Sequence, residues 1–309
     1  MGKLNFLYCF DENYNYQAFT SIISLLENVN QKINIFVIHS DEKFYKKIPK
    51  EIINHKYLDH FETFLFNDYD YNFPNTREAH VSEATYFRLF ISNYLPNNID
   101  SLIFLDADTV CMKNPIKELC QEIIKLKNSK YVLAAKTEHP QDPTGEFDIY
   151  NRLDMKGPYF NAGVLLIDFE KWNKKNFHQY LIKELINLDQ KILQWDQDVL
   201  NSFIDGQYQQ IDKKFNYPAF EFVKNESLDI VFIHYLGSKK PWLTSGMFEY
   251  ESRFYHNNYR KIANTQYHIT HKWKKTSLKD FVKSFFNLKI KNLFNPFSFT
   301  KEFIQSLFL

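Results

Sequence analysis

The residues best suited to chemistry in this sequence are two carboxylates separated by one small residue. Asp106-Ala107-Asp108 follows directly on an apolar stretch at 101–105. Side chains alternate sides along an extended chain, so residues two apart point the same way. Two carboxylates sharing one side at the carboxyl end of a strand make a site for a hard divalent cation such as Mn2+ or Mg2+. Such a cation would bridge diphosphate oxygens. A further ligand, His234, follows a second apolar stretch at 230–233 and opens the run His234-Tyr235-Leu236-Gly237-Ser238-Lys239-Lys240-Pro241-Trp242. A neutral imidazole can complete the metal site, Lys240 can meet a phosphate, and Gly237 lets the backbone approach it closely. Asp-x-Asp in a loop can also serve as a helix cap, and an isolated histidine as an ordinary hydrogen-bonded group.

No glycine-rich segment in the sequence could cradle a phosphate. Only seven glycines occur in 309 residues, with no G-x-G and no GxxxxGK segment. Dinucleotide-fingerprint and P-loop readings are therefore excluded. No G-x-S-x-G, HExxH or CxxC segment is present either, which removes the corresponding hydrolase and zinc-site readings. The three cysteines, Cys9, Cys111 and Cys120, are expected to be reduced thiols of a cytoplasmic protein, and Cys9 to be core. The start of the chain has too short an apolar run for a signal peptide, and no stretch is long enough to span a bilayer.

The elements that must position these residues alternate. Apolar stretches at 4–10, 33–38, 101–105, 131–135, 164–167 and 230–233 are separated by helical patterns at 17–26, 83–94 and 115–126, among others. Such alternation predicts a largely parallel sheet covered on both faces, with ligands at the carboxyl ends of the strands. The near-zero net charge of +1 argues against a nucleic-acid partner. It is, however, unevenly spread. Residues 271–309 carry eight lysines against Asp280 and Glu302, a net +6, and nine aromatic residues, leaving −5 on 1–270. Within 277–288, Leu278, Phe281, Val282 and Phe285 fall on one helical face flanked by Lys279 and Lys283. That pattern suits a helix lying on an anionic membrane surface, or a terminal helix packed on the protein's own core.

Six ordered segments together make the sequence recognisable. They are Phe10-Asp11-Glu12-Asn13-Tyr14; His80 with Thr85-Tyr86-Phe87-Arg88-Leu89; Phe104-Leu105-Asp106-Ala107-Asp108; Tyr159-Phe160-Asn161-Ala162-Gly163-Val164; Trp195-Asp196-Gln197-Asp198; and the run from His234 to Trp242. Over roughly residues 4–245 the chain resembles the retaining glycosyltransferases of family 8. Within that family the likeness is to bacterial galactosyl- and glucosyltransferases of lipopolysaccharide assembly, and more distantly to glycogenin. The resemblance implies an α/β fold: a single nucleotide-sugar-binding domain of GT-A type, with a mixed, mainly parallel sheet and helices on both faces. That catalytic domain is expected at 1–250, and a basic, aromatic, helical C-terminal extension that associates with the membrane at 251–309.

The site residues carried by the resemblance are these. Asp11 and Asn13 would address uracil and ribose, with Tyr14 stacked on the base. Asp106, Asp108 and His234 would hold Mn2+ or Mg2+, and Gly237 and Lys240 would meet the diphosphate. Arg88 would pair with the first metal carboxylate and reach the donor, while Asn161, Asp196 and Gln197 would contact the donor sugar. Read from the residues themselves, Gly163 would leave room for that ligand, and Asp198 would cap the helix that runs through Val199-Leu200. His80 and Glu138 would face the acceptor. Glu138 stands where relatives often carry Asp, and Leu236 where some carry a smaller residue. The implied activity is metal-dependent transfer of galactose or glucose from a UDP-sugar to a sugar hydroxyl of a lipopolysaccharide or lipooligosaccharide acceptor. The anomeric configuration would be retained through same-face attack, because the amide of Gln197 is a poor nucleophile. The enzyme would work in the cytoplasm, peripheral at the inner face of the cytoplasmic membrane. A sugar-nucleotidyltransferase of related fold and a non-enzymatic membrane adaptor are the alternatives.

Overall fold

The structure, a computed structural model, describes residues 3–74, 82–140, 147–224 and 229–308. Its main sheet has seven strands in the order β3-β2-β1-β4-β7-β6-β8. These are β1 (Asn5–Phe10), β2 (Ile33–His39), β3 (Leu58–Leu65), β4 (Ser101–Leu105), β6 (Leu133–His139), β7 (Tyr159–Asp168) and β8 (Gln209–Gln210). The first four are parallel to one another, β7 runs antiparallel to both β4 and β6, and β8 is parallel to β6. Alternation along the strands divides the core into two layers. Leu7, Phe36, Ile38, Leu102 and Phe104 face helices such as Phe177–Leu188 and Trp195–Ile204, whereas Phe6, Tyr8, Ile35, Val37, Ile103 and Leu105 face Asn15–Asn28 and Ile116–Lys127. The mixed, mainly parallel sheet covered on both sides is thus present. Edge strand β3 was not anticipated, because its half-exposed sequence LDHFETFL has no apolar run.

Strand order decides what meets at the carboxyl edge. Parallel β1 and β4 are neighbours, so Asp11 and Asp106 leave the sheet on the same side. A second sheet joins β5 (Thr109–Cys111), β10 (Phe232–His234) and β9 (Tyr217–Pro218). Antiparallel pairing of β10 with β5 sets His234 opposite Thr109. The expected strand-like alternation through Asp106-Ala107-Asp108 is not what occurs. β4 ends at Leu105, and a tight turn follows in which Thr109 N–H donates to Asp106 O at 3.2 Å. The two carboxylates converge through that turn.

Register shifts fall where site residues lie. Ala135 of β6 pairs with Leu165, but Lys136 pairs with Asn161, so Ala162, Gly163 and Val164 intervene on β7. Three is odd, so side-chain parity flips: Phe160 and Ala162 face one core layer, Val164 and Leu166 the other. Glu138 is itself an extra residue, lying between the partners of Phe160 and Tyr159.

The C-terminal segment is helical over Ser252–Tyr259, Lys274–Phe286 and Pro296–Phe308, and folds back on the body. Tyr255, Tyr259 and His268 pack around Trp242. Phe299 and Phe303 are fully buried with Met247, Phe248, Tyr267 and Leu293, and Glu302 accepts the N–H groups of Gln266 and Tyr267 at 2.9 Å. The expected face of Lys274–Phe286 divides: Phe281 stacks on Phe303 at 4.8 Å, while Leu278, Val282 and Phe285 stay exposed. Phe303→Ala should therefore cost about 3–5 kcal/mol in denaturant unfolding, as core Phe truncations do. Phe308→Ala, at an 86% exposed position, should change stability by under about 0.5 kcal/mol.

Candidate active site

A cleft of about 660 Å3 opens at the carboxyl edge between the two sheets, within the range of small-molecule sites. Asp106, Asp108 and His234 line it, and one ligand atom from each lies within 4.8 Å of the others. His234 Nε2 is 3.0 Å from Asp108 Oδ1 and 3.8 Å from Asp106 Oδ2. The second oxygen of each carboxylate is engaged by a cation. Arg88 Nη2 donates to Asp106 Oδ1 at 2.7 Å, and Lys240 Nζ donates to Asp108 Oδ2 at 2.5 Å and to Tyr235 O at 2.6 Å. Burial pushes the Asp108 carboxyl up, but Lys240 and His234 outweigh burial and hold it below the ordinary range. Carboxylate oxygens and one imidazole nitrogen form a donor set that fits Mn2+ or Mg2+.

Room for this cluster comes from an absent side chain. A Cβ on Gly163 would lie 2.1 Å from His234 Cε1 and 3.0 Å from Asp106 Oδ2. What the glycine accommodates is thus the histidine and the first carboxylate.

Arg88 is 5% exposed and lies on the Phe104 ring, its Cζ 3.9 Å from the centroid. Besides Asp106 it donates to Ala162 O at 2.6 Å, and its Nε stands 2.8 Å from Asp196 Oδ2. Asp196 is 2% exposed and also accepts the hydroxyl of Thr85. Burial outweighs the attraction of Arg88 and raises its carboxyl to about 6. The backbone before Asp196 is constrained: Trp195 has φ of +49°, unusual for a bulky residue. The preceding Leu193 and Gln194 N–H groups both donate to Asp198 Oδ2 at 2.8 Å. Asp198, fully buried, also takes Arg152 and the Tyr159 hydroxyl, so it ties down the loop before its helix as well as standing in the first turn.

The remaining predicted residues distribute as follows. Gln197 Oε1 accepts Ala162 N–H at 2.9 Å, and its Nε2 donates to Glu138 Oε2 and to the Tyr159 hydroxyl, both at 3.1 Å. Asn161 Nδ2 donates to the same Glu138 oxygen at 3.3 Å. Tyr14, Asn161, Gln197, Glu138, Gly237 and Lys240 line the cleft. Gly237 has φ of +72° with open space beside it. Tyr14 meets Trp242 edge-on at 6.1 Å. Asp11 is not among the lining residues; its carboxylate accepts from the Asn13 backbone at 3.0 Å and side chain at 3.3 Å. His80 lies outside the described residues. Three polar residues were missed from the sequence: Thr85 as a partner of Asp196, Tyr159, and Asn216, which hydrogen-bonds His234 at 2.9 Å. Thr85 and Tyr159 sit inside motifs that carried the resemblance, whereas Asn216, in Lys-Lys-Phe-Asn-Tyr-Pro, has no motif around it.

The mixed sheet with a carboxylate turn at its edge is of GT-A architecture. The fold superposes on the crystal structure of galactosyltransferase LgtC in complex with donor and acceptor sugar analogs. The TM-score is 0.70 at 19% identity, over 89% of this chain and 100% of that one. The family model "Glycosyl transferase family 8" matches residues 5–246, and the chain belongs to that family. It is similar to a lipopolysaccharide 1,3-galactosyltransferase of Salmonella typhimurium, with 29% identity over 82% of this chain and 77% of that protein. It is also similar to a lipopolysaccharide 1,2-glucosyltransferase of Escherichia coli, with 30% identity over 75% of this chain and 71% of that protein. The protein is an enzyme that transfers a sugar, which sets aside the nucleotidyltransferase and adaptor alternatives.

Two outcomes follow from this geometry. Gly163→Ala should displace His234 and lower turnover by about 10²-fold, the penalty of misplacement near 1 Å, while circular dichroism shows an intact fold. The Asp196 carboxyl keeps its proton up to about pH 6 in the native state, against 3.8 ordinarily. The native state thus binds more protons across that window, and this group's contribution to stability falls as pH rises through it. Asp196→Asn should flatten that decline when unfolding free energy is measured at several pH values between 4 and 7.

Proposed function

We propose that this enzyme moves a hexose, galactose or glucose, from a UDP-sugar to a sugar hydroxyl of a lipopolysaccharide or lipooligosaccharide acceptor, with retained configuration. The observation that carries the reading is the convergence of Asp106, Asp108 and His234 in one cleft with Arg88 and Gln197. Membership of family 8 supports it, as do two similar proteins named for galactosyl and glucosyl transfer in lipopolysaccharide.

Asp106, Asp108 and His234 hold Mn2+ or Mg2+ in this reading. When bound, the cation supplies positive charge against the diphosphate, the role a glycine-rich loop plays elsewhere. Arg88 holds Asp106 by one oxygen and leaves the other turned toward His234. Lys240 adds a second positive charge beside the departing diphosphate, and Gly237 lets the backbone approach it. Tyr14 offers an aromatic face to the base, with Asp11 and Asn13 at the uridine end. Asn161, Asp196 and Gln197 line the sugar pocket, and Glu138 and His80 serve its acceptor side.

Both ends of the Gln197 amide are already hydrogen-bonded within the protein. That supports a direct route in which no enzyme group attacks the sugar. The bond from the anomeric carbon to the phosphate oxygen breaks, the acceptor oxygen bonds to the same face, and its proton passes to the departing phosphate. A sugar bonded covalently to the wild-type enzyme during turnover would overturn this route.

The division at residue 250 is part of the proposal, with 1–250 catalytic and 251–309 an extension that meets the membrane. Among the described residues no helix is long and apolar enough to cross a bilayer. Support comes from the surface of the extension. Trp273, Phe285, Phe286, Leu288, Phe294, Phe297 and Phe308 are exposed, beside exposed Lys272, Lys274, Lys275, Lys279 and Lys283. Apolar side chains ringed by lysine suit an anionic lipid surface, here the inner face of the cytoplasmic membrane.

Two experiments test the reading. Asp108→Ala, or a chelator on the wild type, should lower transfer by about 10²–10³-fold. The activity should return with Mn2+ in the chelated wild type alone, in a survey of UDP-galactose, UDP-glucose and UDP-N-acetylglucosamine. Wild-type turnover in chelator would refute the metal. Truncation would strip cover from buried Met247 and Phe248, so the membrane test uses surface changes. Phe286→Ser, Phe297→Ser and Phe308→Ser together should abolish flotation with anionic vesicles and leave transfer to a soluble acceptor unchanged.

A further inference from the structure

A chain of buried amides determines which nitrogen of His234 carries a proton. It starts at a backbone group whose polarity is invariable: the Gly163 N–H donates to Asn161 Oδ1 at 3.0 Å. The Asn161 amide is thereby oriented, oxygen toward Gly163 and nitrogen toward Glu138, where Nδ2 donates at 3.3 Å. Asn216 lies on the same Asn161 oxygen, so it must present its NH2 there, and Nδ2 is 2.8 Å away. Its oxygen is then left facing His234, 2.9 Å from Nδ1. An amide oxygen only accepts, so Nδ1 must be the protonated nitrogen. Reversing any one amide would press two buried donors or two buried acceptors together. Asn216 is 1% exposed, Asn161 4% and His234 3%, so water offers no substitute partner.

With the proton on Nδ1, the Nε2 lone pair faces Asp108 Oδ1 at 3.0 Å and Asp106 Oδ2 at 3.8 Å. Three acceptors then look at one another, an arrangement that a cation between them satisfies. We propose that Asn216 is a positioning residue that holds Nδ1 of His234 protonated and turns the Nε2 lone pair to a divalent cation. The proposal rests on the reading of Asp106, Asp108 and His234 as a metal site. Asn216 comes from the segment that leads into β9, whose Pro218 pairs with His234, so sheet pairing fixes its distance from the ring.

The test begins with the metal-free wild-type protein, its histidines labelled with 15N, at about pH 8, above the ordinary histidine range. Two-bond proton–nitrogen correlations, with the His234 signal identified by its loss in His234→Ala, should show a protonated Nδ1 and an unprotonated Nε2; a proton on Nε2 overturns the proposal. An unprotonated Nδ1 overturns the proposal and needs no Asn216 variant to fold. Mn2+ titration followed by electron paramagnetic resonance then compares folded variants. Asn216→Leu should weaken Mn2+ binding by about 10–100-fold, the usual loss when a ligand's supporting hydrogen bond is removed. Asn216→Asp keeps an acceptor for Nδ1–H but sets a second acceptor against the Asn161 oxygen, so where it folds it should bind Mn2+ more tightly than Asn216→Leu. A purely structural Asn216 would lower stability and leave the Mn2+ affinity of Asn216→Leu at the wild-type value, and that result also overturns the proposal. If the wild type shows protonated Nδ1 yet takes up no Mn2+, the metal reading fails while the tautomer assignment stands.

Discussion

Three residues of β7, Ala162 to Val164, drop out of the ladder with β6, and their peptide groups have to be satisfied by something else. The Ala162 N–H goes to Gln197, the Ala162 carbonyl to Arg88, the Gly163 N–H to Asn161, and the Gly163 carbonyl to the backbone N–H of Asp106. One irregular stretch of strand therefore orients Gln197, Arg88 and Asn161, which line the cleft. It also holds the start of the carboxylate turn. Because backbone groups cannot exchange donor for acceptor, they impose a fixed polarity on every amide they touch. The same stretch lacks a Cβ where His234 and Asp106 approach, so geometry and hydrogen bonding place a single demand on Gly163.

Charge in the cleft is balanced in pairs. Asp106 is held by Arg88, Asp108 by Lys240, and Asp196 by Arg88 from its other side. Each of the first two carboxylates has one oxygen neutralised by a side chain and one turned to His234. Burying carboxylates is costly unless they are paired. The pairing lets the anionic oxygens stay exposed to a ligand without unfolding the site. Arg88 links this balance to the sheet through its place over Phe104, which covers the guanidinium face while its edge donates.

The C-terminal segment buries some of its aromatic residues against the body and leaves others exposed. Phe281, Phe299 and Phe303 complete a small core with Met247 and Phe248, close behind the run that carries Lys240. Gly246 brings the two together, because a Cβ there would lie 2.5 Å from the carbonyl oxygens of Lys239 and Lys240. Trp273, Phe285, Phe286, Phe294, Phe297 and Phe308 remain on the surface with the lysines. Packing and exposure are thus partitioned residue by residue along the same helices.

Local periodicity made the central strands legible, since residues buried on both faces form apolar runs wherever β1, β2, β4 and β7 lie. The motifs around Asp106, Asn161, Gln197 and His234 were legible too, because chemistry concentrates unusual residue types in short spans. Strand β3 was not, because half-exposed residues leave no such run. Asn216 was invisible because its significance lies in a hydrogen bond to a residue distant in sequence. The sequence by itself determined an α/β sheet, the family and the cleft's side-chain chemistry. Only the tertiary structure decided that a turn brings the carboxylates together, that β10 sets His234 beside them, and that Gly163 makes room for the ring. Alternation along a strand is a property of neighbouring residues, whereas strand order, register shifts and the space left by a missing Cβ exist only between segments that folding brings into contact.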